Sequence, residues 1–238
     1  MTTTAYDTHF IASDIAFTVN RDNVSEVTLD IPFKKVKRVG DIVFGMAGCL
    51  FCMRDFCQAL IDDILQNKTQ FNLPSSILER TNSDFIAIVY LSGSCLKVTK
   101  AVNQTEYTME NITNVPTVIG SGSRHTQHII QDCPNALAVV LEAIKYDEYT
   151  AGDVKYCSIK REDVHNLESP IMSTTLNNQI VMLQTEIAET NCLLGNGNTY
   201  HANTETYHHG EPVKISTELG LQMFQHSLTN VREKLSGK

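Results

Sequence analysis

The sequence predicts an α+β fold in which antiparallel sheets are stacked and helices lie outside them, a four-layer αββα sandwich. Two patterns carry this expectation. Apolar runs of strand length come in pairs joined by short turns, instead of alternating singly with helices, and that is how antiparallel sheets are written. Between the pairs the hydrophobic period changes to that of a helix, at 50–66 and again after Pro134. The scale agrees: 238 residues with 42% hydrophobic and 19% charged side chains suit one large domain, or one domain with an appendage.

In chain order, Thr2–Tyr6 and His9–Ser13 read as short strands joined in a tight hairpin at Asp7-Thr8, with Asp14 directly after. Residues 19–31 are polar and read as irregular, with a turn at Asn20-Arg21-Asp22-Asn23. Lys34–Val39 and Ile42–Ala47, separated by Gly40-Asp41, form a second hairpin. Met53, Phe56, Cys57, Leu60, Ile61 and Ile64 then recur at helical spacing and predict an amphipathic helix over 50–66. Asp84–Leu91 and Cys95–Val102 are a third pair of strands around Ser92-Gly93-Ser94. Pro116–Ile119 is a strand running into Gly120-Ser121-Gly122-Ser123, where a helix begins; a second helix follows Pro134, and Val154–Ile159 is the next strand.

From Ser169 the character shifts, so the chain divides into a domain over 1–168 and a helical extension over 169–238, for packing or oligomerisation. Leu176, Ile180, Leu183, Ile187 and Leu194 follow one apolar seam, and Leu221, Phe224, Leu228, Val231 and Leu235 another. Neither is long enough for a coiled coil, so a helix pair packed on the domain is the simpler reading. Gly195–Glu211 between them reads as a polar loop.

A formal charge of −8 and a pI near 5.4 argue against nucleic acid as the main partner. No apolar stretch is long enough for a membrane span, and the start lacks the layout of a signal peptide. Seven cysteines, an odd number, then point to reduced thiols in a cytoplasm, where the sequons at Asn67, Asn103 and Asn111 carry no glycan. Cys49-Leu50-Phe51-Cys52 is a lone CxxC without a second pair, which suits small apolar packing better than zinc. His201, His208 and His209 sit in the polar loop, exposed by default. No metal and no cofactor are expected.

The chemistry begins at Thr2. Behind a removed Met1, this threonine would carry a hydroxyl nucleophile and a free α-amine on one residue. Such an amine titrates at about 7.7–8.0 and can act as base for its own hydroxyl. Taken alone, a threonine-rich start is most often a frayed terminus or a first edge strand. Lys35 in Lys34-Lys35-Val36-Lys37-Arg38 is, by itself, a solvated charge on an edge strand, and Gly120–Ser123 a flexible turn or helix cap.

Together, these fragments resemble one family. Thr2–Asp7 (TTTAYD), Phe10–Asp14 (FIASD), Lys34–Arg38 (KKVKR), Met46-Ala47-Gly48, Val118–Ser123 (VIGSGS) and Asp147–Val154 (DEYTAGDV) stand in the order seen in proteasome β-subunits. The stretch KKVKRVGDIVFGMAG is most similar to the bacterial HslV peptidase, and the short first hairpin to proteasome-like proteins of phages and bacteria. The resemblance covers residues 2–160 and implies an N-terminal-nucleophile hydrolase that cleaves peptide bonds. Thr2 would be the nucleophile, Lys35 the cation that lowers the pKa of its hydroxyl and amine, and Asp14 the carboxylate that holds Lys35. Gly48 would offer its N–H to the oxyanion, and Ser121, Asp147 and Thr150 would organise the terminal amine. Thr18, Met46 and Ala47 would bind the substrate: Met46 as pocket floor, Ala47 where the peptide adds as a strand.

The resemblance further implies a peptide or unfolded-protein substrate, a ring or stacked homo-oligomer and, as an open option, an ATP-driven unfoldase. The family pattern is not matched at Ile15-Ala16 or at Ala151, where glycine is usual and a positive φ would be strained. The loop from Asp14 to Lys35 is longer than usual. A scaffold of the same fold without turnover, acting through assembly or its C-terminal helices, is the second reading, and a hydrolase of small amides the third.

Overall fold

A computed structural model describes residues 2–21, 24–126, 129–130, 132, 135–160, 175–195, 199–201 and 205–237. The chain opens with β1 (Thr3–Tyr6), β2 (Phe10–Asp14), β3 (Phe17–Arg21), β4 (Val24–Thr28), β5 (Val36–Val39) and β6 (Ile42–Gly48). Then come α1 (Leu50–Gln66), α2 (Ser75–Glu79), β7 (Phe85–Leu91), β8 (Ser94–Lys100), β9 (Thr108–Asn111) and β10 (Thr117–Gly120). The remainder is α3 (Ser123–Thr126), α4 (Ala136–Tyr146), β11 (Val154–Ser158), α5 (Leu176–Leu194), β12 (Thr199–His201), β13 (Thr206–His208), β14 (Val213–Ile215) and α6 (Thr217–Ser236).

The fold is α+β, and every described strand pair is antiparallel. A five-stranded sheet has the order β11-β2-β1-β10-β13, a six-stranded sheet β14-β9-β8-β7-β6-β5, and a small sheet β12-β3-β4. Strand β6 shows how the two large sheets are joined. Its side chains alternate, so Phe44 and Met46 enter one core with α1 while Val43 and Ala47 enter another with Ile11 and Ile119 of the five-stranded sheet. Gly45 marks the closest approach: a Cβ there would stand 2.5 Å from Ile11 and 2.6 Å from Thr4. A third core, with Ala5, Ala12 and Val118, packs on Val139 and Val140 of α4.

The helices end where local chemistry stops them. Helix α1 closes at Asn67 in the left-handed region, which asparagine tolerates better than most side chains. Asn135 caps α4 by accepting the Ala138 N–H at 2.9 Å, and Ser216 caps α6 through Leu219 N–H at 3.2 Å.

The hairpins and long helices lie where the apolar periods place them, but two polar stretches do not stay irregular. Residues 17–28 form the β3–β4 hairpin, and its tip falls at 22–23, outside the described residues. Every residue of β4 before Thr28 is exposed, so it has no buried face to write an alternation into the sequence. Within Gly195–Glu211, β12 and β13 pair through their backbones in stretches of three residues, too short for any period. Segment 175–237 therefore adds one strand to each sheet. Its helices turn their seams inward: Ile180, Leu183 and Ile187 of α5 and Phe224, Leu228 and Val231 of α6 share the core beneath α1. The helix pair is packed on the domain. The expected boundary at 168 lies outside the described residues. Among the described residues no helix is long and apolar enough to cross a membrane.

Phe224 joins the tail to the core, stacked on Phe71 at 5.0 Å between ring centres and edge-on to Phe56 at 6.2 Å. Replacing it with alanine removes a fully buried ring, which costs about 3–5 kcal/mol. In urea, Phe224→Ala is expected to lower the midpoint of the single main transition. A tail that is a detachable appendage would instead leave that transition where it was.

Candidate active site

Strand β1 is the middle strand of the five-stranded sheet, and the residue that precedes it is Thr2. The register Thr4↔Ser13 brings Asp14, the last residue of β2, alongside the start of β1. Lys35 comes from the other large sheet, just before β5, where its carbonyl accepts the Met46 N–H at 3.1 Å. These three side chains meet. Thr2 Oγ1 donates to Asp14 Oδ1 at 2.5 Å, and Lys35 Nζ donates to the same carboxylate oxygen at 2.9 Å. Lys35 Nζ also donates to Thr2 Oγ1. The longer loop between Asp14 and Lys35 does not displace the ammonium.

Asp14 is held on all sides. Its Oδ1 also accepts the Thr3 N–H at 2.9 Å, and its Oδ2 the Ala16 N–H at 3.0 Å. Thr2 and Asp14 are 1% exposed and Lys35 2%, so the ion pair stands out of water. Burial pushes the Lys35 ammonium below the usual lysine range, while the Asp14 carboxylate pulls it back up. The Phe17 ring lies 4.8 Å from Nζ and closes the site on the side of β3. A lysine so placed, touching the hydroxyl, can lower that hydroxyl's pKa and exchange a proton with it.

A second cluster abuts the first. Asp147 Oδ2 accepts the Ser121 hydroxyl at 2.5 Å and the Thr150 hydroxyl at 2.6 Å. Thr150 Oγ1 spends its proton there, so across the 2.6 Å contact Thr3 Oγ1 is the donor. Ser121 Oγ also stands 3.5 Å from the Thr2 carbonyl oxygen, the outer limit of a hydrogen bond. Two glycines make this approach feasible: a Cβ on Gly120 would lie 1.9 Å from Thr2 O, and one on Gly122 2.0 Å from Thr3 Oγ1. Ala151 carries no positive φ; the left-handed residue of that turn is Gly152, at +80°.

Gly48 ends β6 at φ +112°, with its missing Cβ against Asp84 O. Met46 N–H points to Lys35 and Cys49 N–H to Asp84, at 3.0 Å, so strand alternation turns the Gly48 N–H to the Lys35 edge. Thr2, Asp14, Lys35, Gly48, Ser121, Asp147 and Thr150 therefore gather at one corner. The three expected substrate contacts lie on β6 and β3. Met46 is fully buried beneath α1, and Ala47 lies between the sheets with its backbone paired toward Ile86. Thr18 sits in β3, paired to Val27 on one edge and to His201 on the other. Thr3 and Phe17 were not singled out from the sequence, and Gly120 and Gly122 were read only as part of the Gly120–Ser123 turn.

His208 is not part of an exposed loop. In β13 it lies 2.9 Å from both Thr117 Oγ1 and Lys97 Nζ, and Thr117 donates its own proton to Val115 O at 2.8 Å. Nδ1 thus carries the proton and Nε2 accepts from lysine. Burial, and then Lys97, push the imidazole down from 6.5 to about 4, against the pull of Glu110.

Set against protein-family models and against curated protein sequences, the chain matches none.

Two outcomes test this geometry. Asp14→Ala leaves a buried ammonium without its carboxylate and is expected to cost about 3–5 kcal/mol in urea unfolding. Adding Lys35→Met to it should recover most of the loss. His208 is neutral in the folded chain down to about pH 4, whereas the unfolded chain takes up the proton near 6.5. Its contribution is therefore complete above pH 6.5 and is lost as pH falls from 6.5 toward 4. Thermal melts over that range should show a falling midpoint, with a shallower slope in His208→Asn.

Proposed function

We propose that this chain is an N-terminal threonine hydrolase, a peptidase acting through Thr2 after removal of Met1, on the four-layer αββα sandwich of proteasome-like enzymes. The observation that carries it is the contact of Thr2 Oγ1 with both Lys35 Nζ and Asp14 Oδ1 in a buried setting. A threonine hydroxyl is a poor nucleophile at neutral pH; an adjoining ammonium and a freed α-amine are two groups that activate it.

In the first step Thr2 Oγ1 bonds to the peptide carbonyl carbon while its proton passes to the α-amine. The negative oxygen is received by the Gly48 N–H. Collapse breaks the C–N bond, the α-ammonium returns the proton to the leaving amine, and an ester on Thr2 remains. Water, deprotonated by the same amine, then splits the ester and restores the hydroxyl. Ser121 reaches the main chain at Thr2, and Asp147 and Thr150 hold Ser121 and Thr3 in turn, so this second cluster sets the direction of the amine. As in the family it resembles, the chain would act as a ring or stacked homo-oligomer on peptides or unfolded protein, with an ATP-driven unfoldase as a candidate partner. The scaffold reading has one observation in its favour, the 1% exposure of Thr2.

Intact mass and turnover decide between them. The hydrolase is expected to have lost Met1 and to cleave fluorogenic peptides, with Thr2→Ala reduced to background and Lys35→Ala lowered about 100-fold or more. Equal rates for wild type and Thr2→Ala would remove the hydrolase and leave the scaffold.

A further inference from the structure

The Lys35 ammonium serves Thr2 only if the chain that carries it is held in place. Lys35 precedes β5, the edge strand of the six-stranded sheet, which among the described strands pairs with β6 alone in that sheet. On the β6 side the Lys35 carbonyl accepts the Met46 N–H at 3.1 Å. Against β5 also lies helix α5, which belongs to the tail beyond the stretch that resembles the peptidases.

One side chain of α5 brackets Lys35. Glu186 Oε2 accepts the Lys34 N–H at 3.1 Å and also the Lys37 ammonium, while Oε1 stands 3.9 Å from the Lys34 ammonium. The carboxylate thus grips the chain one residue before Lys35 and two residues after it. Lys37 is buried, with the Phe33 ring 4.1 Å from its ammonium. Two turns earlier on α5, Gln179 Oε1 accepts the Gly40 N–H at 2.9 Å, just past the far end of β5. Ile180, Leu183 and Ile187 lie in the core and fix the helix that carries both side chains. Without Glu186, Lys37 becomes a buried ammonium that has lost its carboxylate. Such a charge is costly, and the chain shifts to bring it to water or to another carboxylate. Lys35, two residues away, shifts with it.

We infer that Glu186 is a positioning residue for Lys35: through Lys34 and Lys37 it fixes the segment that carries the ammonium to Thr2 and Asp14, so the C-terminal tail completes the site. The effect on turnover rests on the hydrolase reading, whereas the placement of Lys35 can be measured without it.

The full chain is treated with formaldehyde and cyanoborohydride, which methylate accessible amines, and each lysine is read by peptide mapping. Lys100 is the internal control. It is fully buried too, but on β8, where its ammonium donates to the carbonyls of Arg80 and Ser83. Wild type is expected to protect both lysines. Glu186→Ala is expected to raise the labelling rate of Lys35 about ten-fold or more and to leave Lys100 protected. Glu186→Gln keeps an oxygen for the Lys34 N–H but no charge for Lys37, and should fall between. Glu189→Ala, at an exposed position of α5, should match wild type. Where Glu186→Ala does not fold, Glu186→Gln decides by the same comparison. Lys35 as protected in both Glu186 variants as in wild type would overturn the inference. So would Lys35 and Lys100 labelled in step, the mark of a residue that serves stability alone. Where wild type turns over peptides, Glu186→Ala should lower kcat about ten-fold or more at nearly unchanged KM, with partial recovery in Glu186→Gln. An unchanged kcat would likewise overturn it. Absence of turnover in wild type would remove the hydrolase reading and leave the labelling of Lys35 to decide.

Discussion

A buried ammonium dictates the centre of this molecule. Lys35 has no water to solvate it, and an isolated charge in such a place costs several kcal/mol. Asp14 answers it with one carboxylate oxygen that also takes the Thr2 hydroxyl and the Thr3 amide, while the other oxygen takes Ala16. The partners come from different sheets, Asp14 from the five-stranded and Lys35 from the entrance to the six-stranded one. The ion pair therefore sets how the two sheets meet as well as what Thr2 touches. Two well-packed apolar residues would often serve stability equally well. A charged pair in contact with a hydroxyl serves reactivity in addition.

The long elements were readable because burial writes a period into the sequence. Met53, Phe56, Cys57, Leu60, Ile61 and Ile64 of α1 all face the core, and the two C-terminal seams turn inward for the same reason. Among the strands that escaped notice, β4 is exposed up to Thr28, and β12, β13 and β14 are only three residues each, too short to show a period. Hydrogen bonds between main chains leave no mark on side-chain hydropathy.

The site was legible to a different degree. Nothing local in Lys34-Lys35-Val36-Lys37-Arg38 marks Lys35 as buried; its neighbour Lys34 remains partly exposed, and what separates them is a long-range meeting with Asp14. Resemblance to a family supplied that meeting, and the catalytic candidates do converge. Along a strand, a shift of one residue reverses direction. Ala47 turns its backbone to β7 while Gly48 turns to Lys35. His208 was hidden for a related reason: its partners Lys97 and Thr117 belong to two different sheets.

A nucleophile assembled this way carries an inherent conflict. Excluding water strengthens the interaction of the ammonium with the hydroxyl and carboxylate, and the same exclusion keeps a substrate out. Moving any catalytic strand aside to admit the substrate would break the sheet contacts that hold the ion pair together. Entry is therefore cheapest where a strand can leave without disturbing Asp14, Lys35 or Thr2. In the small sheet, β3 is tied to the site through Phe17, whereas β4 is exposed up to Thr28 and joined to β3 by backbone pairing.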